Sequence, residues 1–105
     1  QKRKKQYHEL SLALPEKATI LHWADDYGQA DFLWLLTHPQ RTLITIIADD
    51  HKRAIAEQSY ITRIRKIRYY KTLPEGVSYD WVVDTRGDHW TVRQCDNEPI
   101  DKLTN

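Results

Sequence analysis

The sequence predicts an α/β domain built on an open, mainly parallel sheet, and three observations carry that prediction. Residues 19–23 form a short apolar run that enters an acidic turn and then an apolar stretch starting near Gln29. Residues 43–47, LITII, repeat the arrangement: a run of strand-favouring β-branched residues, the acidic pair Asp49 and Asp50, and a helical stretch from about Lys52. Two strand–turn–helix units in succession open a parallel sheet, because parallel neighbours need a crossover connection. A chain of 105 residues makes one domain with one modest core.

The elements follow in order. Residues 1–6 are a polar, charged lead-in. Residues 7–14 carry Tyr7, Leu10, Leu12 and Leu14, which predict a short helix covering a sheet edge. Pro15 closes it, since the residue before a proline is pushed out of the helical region. Ile20 and Leu21 are the centre of the first strand, and a strand buried on both faces reads as a continuous apolar run. The stretch 29–37 holds Ala30, Phe32, Leu33, Trp34, Leu35 and Leu36, too apolar for a helix with one wet face, and Pro39 ends it. Asp49 or Asp50 suits the cap of the next helix. In that helix Ala54, Ile61 and Ile64 fall on one stripe, opposite Lys52, Arg53, Arg63 and Arg65. A third strand is predicted at 67–71, a loop at 73–76, a fourth strand at 79–84, a turn at 86–88 and a fifth strand at 89–93. The expected division is a lead-in with a short helix at 1–14, the α/β domain at 15–95 and a polar tail at 96–105.

Composition excludes several classes. With 40% hydrophobic and 30% charged residues the chain is globular rather than disordered. A net charge of +1 provides no global field for nucleic acid or an anionic membrane. Cys95 is the single cysteine, so an internal disulfide and a four-thiolate zinc site are both excluded. No apolar run approaches the length of a membrane span. The chain contains no methionine and begins in a basic segment, which suggests a piece of a longer protein. Its location then follows the parent chain, with the cytoplasm as the expectation.

Residues 20–28, ILHWADDYG, resemble the first motif of class I S-adenosylmethionine-dependent methyltransferases. In that family a strand ends in an acidic residue, followed by glycines at alternate positions and often a Tyr-Gly pair. Residues 44–56 resemble the family's second motif, and residues 79–84, YDWVVD, are similar to its fourth strand. The resemblance spans roughly residues 19–84. It implies a small Rossmann-like three-layer α/β/α fold, and it implies a cofactor site at Asp25, Asp26, Tyr27, Gly28 and Asp49. The departures fall on that site. His22 stands where the resemblance implies an acid, Ala24 and Asp26 stand where it implies glycines, and Ile47 stands where it implies a carboxylate for the ribose hydroxyls. Glycine lets a backbone approach a ligand closely. The Asp26 side chain would fill that space, and Ile47 accepts no hydrogen bond, so a buried ribose hydroxyl left unpaired there would cost about 1–3 kcal/mol. The resemblance therefore implies a degenerate member without catalytic residues and without a cofactor. S-adenosylmethionine is the ligand if the site is divergent rather than lost.

Other constellations have a plainer reading. Asp25, Asp26, Asp49 and Asp50 gather at the carboxyl edge of the predicted sheet, where a magnesium site or simple helix capping accounts for them; capping is favoured. Asp25 and Asp26 with Asp84 also match the acidic set of phospho-accepting receiver domains, but the extra strand at 67–71 argues against that order. His22 reads as a packed core histidine. Trp23, Trp34, Trp81 and Trp90 read mainly as core aromatics. The basic run Arg63, Arg65, Lys66 and Arg68, with Tyr69 and Tyr70, is either a solvated helix end or a surface for RNA or lipid phosphate. The sequence thus points to a non-catalytic methyltransferase-like module serving in assembly or regulation. Its partners are expected to be other domains of a parent chain, a protein partner or a second copy, with no strong signal for nucleic acid.

Overall fold

The computed structural model describes residues 2–25, 36, 38–65 and 67–95. Its axis is β1 (Ala18–Trp23), the central strand of five. β2 (Arg41–Ile46) lies parallel on one side and β4 (Trp81–Asp84) parallel on the other. β3 (Ile67–Tyr70) extends the sheet beyond β2, again parallel. β5 (Thr91–Gln94) returns antiparallel along β4. The order β3-β2-β1-β4-β5 is a Rossmann-like half-sheet with one reversed edge. Burial follows position: Ile20, Leu21 and His22 of β1 are all fully buried, as a central strand covered on both faces requires.

One face of the sheet presents Ala18, Ile20, Leu43, Ile67 and Val83. Over it lies α1 (Lys2–Leu12), which inserts Tyr7, with Leu14 and Leu36 completing the cluster. Tyr7 is fully buried, and its ring meets His22 at 6.2 Å and Trp90 at 5.0 Å, both edge to face. α1 therefore covers the middle of a face, not a sheet edge, and it begins at Lys2 rather than Tyr7. Leu12, expected on its apolar side, is 73% exposed. The opposite face carries Leu21, Ile44, Ile46 and Val82. Leu73, Val77 and Tyr79 of the irregular segment 71–80 pack on it, so among the described residues this covering layer is a loop.

The second helical unit departs from the expected single helix. α2 (Asp50–Glu57) ends at Gln58, and α3 (Tyr60–Ile64) starts anew behind Ser59. Ser59 Oγ accepts the Thr62 N–H at 3.4 Å, and Thr62 Oγ1 donates to the Ala56 carbonyl at 2.8 Å. Short hydroxyl side chains offer the backbone these alternatives to a continuing helix. The break rotates the expected stripe: Ala56 is fully buried and Ile61 packs inward, while Ile64 is 52% exposed. Of the two candidate caps, Asp49 and Asp50, it is Asp49 that caps α2, its Oδ1 accepting the Lys52 N–H at 2.9 Å. That hydrogen bond holds the carboxyl below its ordinary pKa. The helix expected at 29–37 lies outside the described residues, apart from buried Leu36.

Candidate functional site

An open parallel sheet holds its ligands outside the carboxyl ends of its strands, at the point where the strand order reverses. Here the chain progresses from β1 through β2 to β3 and then resumes on the far side at β4, so the switch point lies between the ends of β1 and β4. Four contacts join those ends. The Thr85 backbone N–H donates to the Trp23 carbonyl at 2.9 Å, and Thr85 Oγ1 donates to the same oxygen at 3.1 Å. The Asp25 carboxylate accepts the Gly87 N–H at 2.8 Å. The Arg86 guanidinium lies over the Trp23 ring, 4.6 Å from its centre. Gly87 has φ of 68°, a left-handed conformation that suits glycine and aims its N–H at Asp25.

Asp84, at the end of β4, is also engaged. It accepts from the Arg86 backbone N–H at 3.0 Å and from the guanidinium at 2.8 and 3.1 Å. Burial pulls its pKa up, the Arg86 hydrogen bonds outweigh that, and the carboxyl stays below its usual value. The same contact raises the Arg86 pKa. This aspartate is thus half of an ion pair, not an open acceptor. The strand order also differs from the 2-1-3-4-5 order of flavodoxin-like domains, so the receiver comparison lacks its topology.

Two of the sequence-predicted site residues are described, and they follow the ends of the neighbouring strands β1 and β2. Asp25 serves the turn at Gly87, and Asp49 caps α2 on the other side of β1. Asp26, Tyr27 and Gly28 lie outside the described residues. Among the described residues no group of three histidine, cysteine or acidic side chains converges to hold a metal. Asp50 is paired with Arg53 at 2.8 Å and with Lys71 at 3.7 Å. Hydrogen bonding by Arg53 keeps its pKa low. Ile47, where the resemblance implies a ribose acceptor, is 1% exposed and packs with Ala24 and Ala56.

His22 faces the core beneath Tyr7. Its Nε2 lies 3.0 Å from Thr85 Oγ1 and its Nδ1 3.5 Å from Thr45 Oγ1. Burial lowers its pKa to about 4, with Asp84 pulling the other way. The ring is a neutral, hydrogen-bonded core group. The indole N–H of Trp90 donates to the Gly87 carbonyl at 3.1 Å, which ties the same turn to α1 through Tyr7.

The residues that shape this edge and that sequence reasoning passed over are Thr85, given no reading, and Arg86, read only as part of a turn. Placing the end of β4 beside β1 was the signal that would have brought them forward. Compared with family models, with curated proteins and with solved structures, the chain shows no match. No helix among the described residues is long and apolar enough to cross a membrane.

Proposed function

We propose that this domain is a non-catalytic, methyltransferase-like module that serves in assembly or regulation within a larger protein. The observation that supports it best is the hydrogen bond from the Gly87 N–H to the Asp25 carboxylate, which spans the switch point where a cofactor would enter. Around it, the β1 and β4 ends are tied through Thr85, and Ile47 turns a cofactor-contact position into core.

Isothermal titration calorimetry with S-adenosylmethionine and with S-adenosylhomocysteine tests the reading. No saturable heat is expected at ligand concentrations up to about 1 mM, where a binding free energy near 4 kcal/mol would register. Saturation by either ligand at micromolar concentration would replace the proposal with a divergent methyltransferase.

A further inference from the structure

β1, β4 and β5 pair in rows, and residues paired across a row point to the same face of the sheet. One row is Trp23, Asp84 and Thr91, and the next is Leu21, Val82 and Arg93. Leu21, Val82 and Trp23 pack in the cluster opposite α1, so both rows face that way. Trp23, Val82, Asp84, Thr91 and Arg93, with Arg86 from the turn, line a cavity of about 470 Å³. Small-molecule sites occupy about 300–1,000 Å³. Its lining is divided in character. Val82 is buried and Trp23 half-buried, and they form the apolar part. Arg86 is fixed in place: its Nε and Nη2 donate to Asp84, and its Cζ lies 4.6 Å from the centre of the Trp23 ring. Its Nη1 stays outside that pair. Arg93 enters none of the ion pairs between described residues. The lining thus sets two guanidiniums against one carboxylate, a surplus of one positive charge, with the Thr91 hydroxyl as a further donor.

From this we infer that the cavity binds a small monocarboxylate with an apolar body. A guanidinium fork matches a carboxylate in geometry as well as charge. Arg86 is already held by Asp84 and Trp23, so its ordering costs little on binding. Arg93 and the Thr91 hydroxyl complete the donors from the neighbouring strand. One surplus positive charge suits one negative charge, whereas a dianionic phosphate would leave a charge unmatched beside Asp84. A bare inorganic anion would leave Val82 and Trp23 wet, and an apolar body removes them from water. The inference is independent of the adenosyl cofactor, because this cavity lies on the sheet face towards β5 and the bond between Asp25 and Gly87 stays closed.

Titration of the uniformly labelled full chain with benzoate, read by backbone amide and indole N–H shifts, decides the matter. Saturable movement of the Trp23 indole and of the Thr91 and Arg93 amides is expected, half complete at about 1 mM benzoate. Benzamide keeps the shape without the charge and should bind about tenfold more weakly, and inorganic phosphate more weakly than benzoate. Arg93→Gln is expected to weaken benzoate about tenfold and Thr91→Val severalfold. Both side chains are exposed, so the remaining resonances should stay in place. No saturable movement up to about 50 mM benzoate overturns the inference. So does equal binding of benzamide, tighter binding of phosphate, or unchanged benzoate affinity in Arg93→Gln.

Discussion

Replacing Arg41 with methionine is expected to lower the unfolding free energy by roughly 2–3 kcal/mol, because several part-buried acceptors lose a charged donor and water recovers some of the loss. Arg41 opens β2, yet its guanidinium serves the far end of α1. It donates to the carbonyls of Ser11 at 3.1 Å, Leu14 at 3.0 Å and Pro15 at 2.8 Å, and to Ser11 Oγ at 3.0 Å. A further bond reaches the Leu36 carbonyl at 2.8 Å. The last carbonyls of a helix lack partners within it and carry the negative end of its dipole. α1 has no basic residue in its own last turn, so Arg41 supplies the cation from another element. Burial lowers the Arg41 pKa, and Glu16 partly offsets this. Arg41→Lys should recover less than half the loss, because one ammonium cannot span the planar fork's acceptors. Chemical denaturation followed by circular dichroism reads both variants. A loss below about 1 kcal/mol for Arg41→Met would show that α1 is held by Tyr7 and Leu14 alone.

The second large effect is with pH. His22 binds its proton near pH 6.5 when unfolded but only near pH 4 in the fold, because burial disfavours the imidazolium. Between those values the unfolded chain holds more protons, so stability rises with pH across the window. The contribution is complete above about pH 6.5 and is lost progressively as pH falls towards 4, amounting to about 3 kcal/mol. The carboxyls with lowered pKa, Asp49, Asp50 and Asp84, act below their ordinary value of 3.8 and so leave this window to the histidine. Urea unfolding at a series of pH values should show the slope in the parent protein and lose it in His22→Leu. A parent protein equally stable at pH 4.5 and 7 would mean that the ring does not stay neutral beneath Tyr7.

Much of this architecture was legible in the chain. The continuous apolar run at Ile20 and Leu21 announced a strand covered on both faces, and the Asp49–Asp50 pair announced a helix cap, because both signals are local. The break at Ser59 was less visible, since Ile61 and Ile64 lie at helical spacing whether or not the helix is interrupted. The covering role of α1 was misread for a different reason: Tyr7 finds His22 and Trp90 only once β1, the central strand, and the Gly87 turn are assembled. The site was legible only as separate acids. Asp25 reads as a ligand residue or a cap in isolation, and its partner, Gly87, is 62 positions away in sequence. Thr85 and Arg86 became meaningful through the strand order, which no single segment encodes.

The claim on which the functional reading rests is that the ends of β1 and β4 are fastened to each other by their own groups. Amide chemical shifts of a uniformly labelled sample, recorded during titration with S-adenosylhomocysteine, test it at the atoms concerned. The account predicts that the Ala24, Thr85 and Gly87 resonances stay in place up to about 1 mM ligand. Saturable movement of the Gly87 and Ala24 amides at micromolar ligand would contradict it, showing that the Asp25 bond opens to admit the cofactor.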